Sequence, residues 1–470
     1  MRWRLPPSML AALVPVLLLA VWLGFATTRP FTLGVHVTLY VLANLIVFID
    51  GLDLILRVAF RWRQTGFRVW ASPPTSIRLD VGTFTPYQMK LHLRPYALVV
   101  SVHNVADELD DFLESLAPFR DRLWVIDDAS SDDTWIRLQQ AGVHCVRGST
   151  NRKKPGAIRE LLAHLPADVA TVVVLDPDVR ILDGHGPLTT LDRVIFDFQR
   201  SGKAAVTPRV VVRKDGWLAR LQNFEYAITC SIGRKSLADH GITSGVAIYR
   251  RDALAMALHR HNLSVYAEDF RNALILLGQG ESIYHDERLV FETEGKRTWG
   301  AWFSQRVGWF YGLLKVYAEQ LSDVRRCAHG GPFYFYQFVV YMGVFALLLH
   351  PLRLVSLGLL ALSTINGVGV LLGLDWIPGG AATTPALFLA AYLKYTVLAL
   401  VASTLVVGGV REWLSLVPTV PIYFFYALAL TVPATFGYLN WLSLRLGGGR
   451  IYRDHYETES SVRRNGGGDQ

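Results

Sequence analysis

Thr171-Val172-Val173-Val174-Leu175-Asp176-Pro177-Asp178 is the stretch on which the fold turns. Its first five residues are β-branched or apolar and too few for a helix, which predicts a central strand buried on both faces. The strand ends in two carboxylates one residue apart. Open α/β sheets bind ligands at the carboxyl ends of their strands. Two carboxylates this close repel unless a cation sits between them. A hard divalent cation takes oxygen ligands from a protein and from a phosphate together. The simplest reading is a metal-bridged diphosphate. A solvated loop can carry the same pair, so the reading depends on the segments around it.

Working outward, the pattern repeats. Strands are predicted over 97–102, 123–126 and 143–146, with helices over 108–116, 134–141 and 156–165 between them. Strands alternating with helices predict a mostly parallel sheet with right-handed crossovers. Beyond Asp178 the spacing predicts strands over 204–213, 245–249 and within 282–292, and helices over 217–237 and 252–258.

The flanks differ in composition. The chain has 470 residues, 51% of them hydrophobic, with a formal net charge of +8. The apolar residues concentrate before residue 60 and after residue 332. Blocks at 9–25 and 31–49 approach the ~20 residues that a membrane span needs and predict a hairpin of two spanning helices. Blocks at 333–349, 353–373, 386–408 and 416–443 predict about four more. The basic residues near these blocks (Arg2, Arg4, Arg57, Arg61, Arg63, Arg68, Arg445, Arg450, Arg453) fit cytoplasmic flanks of membrane helices rather than a nucleic-acid surface. Asp50 and Asp53, at the inner end of the second block, read as solvated by headgroups. Between 299 and 321 the aromatic residues Trp299, Trp302, Phe303, Trp309, Phe310, Tyr311 and Tyr317 predict an amphipathic helix lying at the membrane surface. Cys145, Cys230 and Cys327 are far apart, with neither metal-site spacing nor a disulfide framework.

Four constellations carry chemistry. Asp127-Asp128 ends the 123–126 strand, where carboxylates can accept hydrogen bonds from a nucleoside; Asp132 or Asp133 can instead cap the next helix. The basic turn Asn151-Arg152-Lys153-Lys154, just before a helix, suits an anionic ligand. Asp176-Pro177-Asp178 is the second constellation. Glu268-Asp269, opening a helix, is the third and can supply a general base; charge at a helix N-terminus is the plainer account. The fourth is Gln305-Arg306-Val307-Gly308-Trp309. A cation there can neutralise a diphosphate, and a tryptophan face can stack on a sugar ring.

In this order the four sets resemble those of the family 2 glycosyltransferases of GT-A fold. More narrowly, the chain is similar to the membrane-embedded processive synthases of hyaluronan, chitin and cellulose type. The resemblance covers 95–320 by motif and the flanks by layout. It implies an α/β GT-A domain, binding a nucleotide sugar on a mostly parallel sheet, inserted between α-helical transmembrane segments. The expected organisation is a transmembrane hairpin over 1–59, a cytoplasmic GT-A domain over 60–297, interface helices over 298–331, a transmembrane bundle over 332–445 and a disordered cytoplasmic tail over 446–470. The resemblance implies that Asp127 and Asp128 contact the nucleoside, with Lys154, Gln305 and Arg306 also on the nucleotide. It implies that Asp176 and Asp178 hold Mg²⁺ or Mn²⁺, and that Asp269, beside Glu268, is the catalytic base. Ser244, Gly245 and Trp309 fall on the acceptor side. Ala267 stands where the family's acidic motif has Thr. Gly308 stands where the family usually has Arg beside the Trp; Arg306 can substitute, with Arg297 as a second stand-in.

The expected enzyme is a hexosyltransferase of the plasma membrane. It would pass sugar from a UDP-sugar to a growing polysaccharide, with membrane lipids around it and no nucleic-acid partner. Single addition to a lipid-linked acceptor is the alternative, and an inert membrane scaffold or export component is the alternative of another class.

Overall fold

The computed structural model describes residues 45–65, 84–182, 188–348, 385–406 and 410–456, with a few single positions between 350 and 373. The chain divides into two compact units. One is Arg61–Thr298 with Ala318–Asp323; the other is Met1–Phe60, Trp299–Tyr317 and Val324–Gln470.

The first unit is built on an eight-stranded sheet. Its strands are β1 (Tyr96–Val102), β2 (Leu123–Asp127), β3 (His144–Arg147), β4 (Thr171–Leu175), β5 (Val179–Ile181), β6 (Ala205–Val212), β7 (Ala247–Arg250) and β8 (Ile283–Thr293). Their order is β3-β2-β1-β4-β7-β6-β8-β5. The first four pair in parallel, as the alternation of strand and helix predicts. The rest correct the expectation of a mostly parallel sheet. β7 runs antiparallel to both β4 and β6, β8 is parallel to β6, and β5 is antiparallel to β8. No short crossover helix links β4 to β7; the chain first forms β5, β6 and two helical stretches, then enters β7 from the carboxyl end of β4. Val174 therefore faces Ala247 across the ladder. That reversal brings Ser244 and Gly245 to the edge where β4 delivers its aspartates.

One face of the sheet buries Leu98, Val100, Val125, Val173, Leu175 and Ile248 against Leu191, Ile195 and Phe198 of the Thr190–Ser201 helix. Thr189 and Asp192 cap that helix reciprocally. Asp192 also accepts a 2.8 Å bond from the Tyr96 hydroxyl and one from Arg122, also 2.8 Å, which fastens the helix to β1. The Lys153–His164 and Arg251–Arg260 helices pack against each other.

The described residues of the second unit are mostly helical. Among the described residues one stretch, Glu412–Arg445, is long and apolar enough to cross a membrane, at 34 residues. Pro332–Leu348 and Ala391–Val406 are shorter apolar helices. The predicted spans at 9–25, most of 31–49 and nearly all of 353–373 lie outside the described residues. The aromatic stretch forms one helix, Trp299–Glu319. Asp50 and Asp53 are not solvated as expected. Asp53 accepts bonds from Arg57 at 2.7 Å and Gln337 at 3.1 Å, and Asp50 pairs with Arg353 at 3.3 Å. Burying a carboxylate requires such partners.

The tail expected to be structureless is packed as far as Tyr456. The Asn440 side chain bonds the backbone of Ile451 and Tyr452, and Asp454, fully buried, pairs with Arg450 at 2.7 Å. Tyr452 sits edge-on to Phe303.

Candidate active site

β2 and β4 flank β1 and run parallel to it, so their carboxyl ends share one edge. Asp127 ends β2 and is fully buried. Its Oδ1 accepts from the Ser130 amide at 3.0 Å, which shapes the turn. Its Oδ2 makes no hydrogen bond among the described residues, and the Arg147 guanidinium stands 3.6 Å away. A buried acceptor left open in this way suits an N–H donor from a ligand. Asp128 is committed to structure. Its Oδ1 accepts from the Arg152 amide at 2.8 Å, which ties the basic turn to the end of β2, and burial pushes its carboxyl above the ordinary range. Asp132, rather than Asp133, serves the next helix, accepting from the Thr134 amide at 3.0 Å.

Lys154 is the centre of the site. Its ammonium lies 2.5 Å from Asp176 Oδ1, 3.4 Å from Glu268 Oε1 and 2.9 Å from the Gly245 carbonyl. Burial alone would pull the lysine down, but Asp176 and Glu268 outweigh it and hold the ammonium charged. One member of the predicted metal pair, Asp176, and one of the predicted base pair, Glu268, thus meet on one cation. Gly245 makes this possible: a side chain there would collide with the Asp176 carboxylate. Ser244 turns its hydroxyl to the Val246 carbonyl at 2.8 Å.

The carboxylates carry the mark of crowding. Burial pushes Glu268 up to about 7, with the neighbouring Asp269 and Asp176 adding to the shift against the pull of Lys154. Burial also raises Asp269. Asp178 reaches the surface, yet the atoms around it and the charge of Asp176 lift it to about 6. Thr293 donates to Asp178 at 3.0 Å. Glu268 and Asp269 begin the Glu268–Gly278 helix, immediately after Ala267 in the left-handed region at φ 48°. Thr243 fixes this turn by donating to the Asp269 carbonyl at 2.7 Å. Beneath the carboxylates lies a cavity lined by Ile158, Val174, Tyr249, Leu254 and Asn272.

The donor set of Asp176 and Asp178 fits a hard divalent cation: two carboxylate oxygens at a strand end, one already attracting a positive charge. Among the described residues no three His, Cys, Asp or Glu side chains converge, so a cation here would need phosphate or water for its remaining positions.

Gln305, Arg306 and Trp309 belong to the helical unit. Arg306 is buried, with its guanidinium 4.1 Å from the centre of the Trp309 ring, and Trp309 is exposed. Gly308 has a structural cause that sequence reasoning missed. His455 and Tyr456 of the packed tail fill the space where its side chain would be. The hub role of Lys154 and the packing role of Gly245 were equally hidden, because both depend on the antiparallel entry of β7.

Residues 97–255 match the family model for glycosyl transferase family 2. That match spans about a third of the chain and takes in β1 to β7, with Asp127, Lys154, Asp176 and Gly245 inside it. The sheet is parallel in one half and mixed in the other. No curated protein matches the chain by sequence. Among solved structures it resembles a mannosyltransferase from Pyrobaculum calidifontis, in complex with GDP-Man and Mn²⁺, at 16% identity over 85% of this chain and 99% of that one, with a TM-score of 0.47. Glucosyl-3-phosphoglycerate synthase from Mycobacterium tuberculosis aligns at 17% identity over 50% of this chain and 84% of its own, TM-score 0.30. Mannosyl-3-phosphoglycerate synthase from Rubrobacter xylanophilus aligns at 15% identity over 52% and 81%, TM-score 0.32.

Proposed function

We propose that this protein transfers a sugar from a UDP-sugar to an acceptor hydroxyl with inversion, on a cytoplasmic catalytic unit carried by helices in the plasma membrane. One observation carries the reading: the Lys154 ammonium touches Asp176 on one side and Glu268 on the other. It joins the strand edge proposed to bind diphosphate to the half-buried pair Glu268 and Asp269 within one site.

Each residue then has a task. Asp127 offers its open Oδ2 to an N–H of the nucleoside, and Asp128 holds the turn beside it. Asp176 and Asp178 would hold Mg²⁺ or Mn²⁺, which neutralises charge on the leaving diphosphate. Lys154 is placed to leave the carboxylates and meet the phosphates when the donor binds. Asp269 takes the proton of the acceptor hydroxyl, and burial raises its proton affinity above that of an ordinary aspartate. The hydroxyl attacks the anomeric carbon from the face opposite the diphosphate. Trp309 offers an exposed ring for an acceptor sugar, with Gln305 and Arg306 on the same helix. The apolar stripe Leu389, Leu393, Val397, Leu400 and Val401, exposed along one helix, supports contact with lipid.

A growing polysaccharide is the acceptor proposed, with the spanning helices as its route out. The tail packed at Gly308 favours a second reading, single addition to a lipid-linked acceptor, because it takes the place of an arginine beside Trp309. Purified protein incubated with a panel of UDP-sugars and Mn²⁺ tests both. UDP release that stops with a chelator is expected. A ladder of products supports polymer growth, and one lipid-linked product supports single addition. No UDP release from any donor refutes the reading and returns the chain to the class of inert scaffolds.

A further inference from the structure

The helix that presents Glu268 and Asp269 is held from outside the sheet. Arg271 lies in its first turn, with its amide donating to the Ala267 carbonyl at 3.0 Å. Its side chain is 2% exposed, so the guanidinium is a buried charge that requires a partner. That partner is Glu319, which pairs with Arg271 Nη2. Glu319 also accepts from Asn262 Nδ2 at 3.1 Å, on the loop that leads into the carboxylate pair. Gln320, in the amide orientation that satisfies both neighbours, accepts from Arg271 Nη1 at 3.1 Å and donates to Asp323 at 2.6 Å. Asp323 in turn packs on Gly278, the last residue of the same helix, where no side chain would fit. Segment 318–323 therefore grips the helix near both ends. It belongs to the catalytic unit, yet it continues directly from the aromatic helix Trp299–Glu319.

We infer that Glu319 is a positioning residue for the transfer: through Arg271 it fixes where Asp269 and Glu268 stand. The backbone gives the grip something to resist. Ala267 is a non-glycine residue in the left-handed region, a conformation that persists only where its surroundings impose it. Releasing Arg271 would let that residue relax and carry the two carboxylates away from Lys154. Glu319 touches neither donor nor acceptor in this scheme, so its loss acts on the chemical step and leaves nucleotide binding alone. The inference rests on the function proposed for Asp269.

The test is steady-state kinetics with calorimetric UDP binding on the full-length protein. Glu319→Gln keeps the side-chain size and removes the charge. It is expected to lower kcat about tenfold or more, with donor KM and UDP affinity within about twofold of the parent. Glu319→Asp, which restores the charge, is expected to recover kcat to within about threefold of the parent. Asn262→Ala leaves the ion pair in place and frees its carboxylate, and should show the same kcat-only loss at about threefold even if Glu319→Gln folds poorly. Unchanged kcat in Glu319→Gln and Asn262→Ala, or equal losses of kcat and UDP affinity, overturns the inference. Asp269→Asn is run beside them: if it stays active, the base assignment fails, whereas an inactive Asp269→Asn with a normal Glu319→Gln sinks the positioning role alone.

Discussion

Single residues decide whether the acid cluster can exist. Gly245 and Asp176 approach so closely that an alanine at 245 must push the carboxylate or the backbone aside. Gly245→Ala should abolish transfer and destabilise the protein by about 1–3 kcal/mol, the usual range for overpacking, read by urea unfolding. Unaltered activity would show that Asp176 stands elsewhere in the working enzyme. Proton linkage offers a second check. Glu268 has an ordinary value near 4.5 and is pushed up to about 7 in the folded chain. A carboxyl that binds its proton more tightly when folded favours folding at low pH, and that contribution is lost as pH rises through the folded value. Without metal, the stability of the parent relative to Glu268→Gln should therefore fall between about pH 4.5 and 7. A difference that stays flat, or rises, would contradict the burial of Glu268 as a charge-sensitive group.

The elements show what could be read in advance and what could not. β1, β2 and β4 are continuous apolar runs, and the Thr134–Ala141 helix has the spacing and the left-handed Gly142 stop that sequence rules anticipate. Their carboxyl ends, and so the places of Asp127 and Asp176, were legible because a parallel β-α-β order leaves little freedom. β7 and β8 were legible as strands but not in direction, since an apolar run such as Ala247-Ile248-Tyr249 reads the same both ways. The hub at Lys154 depends on that direction. Long-range polar pairing was equally hidden: nothing in the sequence joins Tyr96 to Asp192, 96 residues apart. Here the structure makes a claim of its own. Tyr96→Phe removes one bond to a buried carboxylate that keeps Arg122 as a partner, so it should cost about 1 kcal/mol. Donor KM should not change, because the bond lies at the start of β1, away from the site edge. A thermal melt with parallel kinetics separates the two effects.

Across the whole molecule, Lys154 with Asp176 and Glu268 is the centre of the sheet unit, and the helical unit has a packed centre of its own. The tail belongs to the helical unit. Asn440, Asp454 and His455 hold it against the aromatic helix at Gly308. Gly308→Ala should dislodge it, so that limited trypsin digestion cuts at Arg450 and Arg453 faster than in the parent; an unchanged digestion pattern would mean the tail is not packed there in solution. The central claim is that the half-buried carboxylates around Lys154 perform sugar transfer, and Asp269→Asn measures it most directly. With the UDP-sugar the parent uses and saturating Mn²⁺, the variant should bind UDP as the parent does and transfer no sugar. Transfer by Asp269→Asn at a rate near that of the parent would contradict the account.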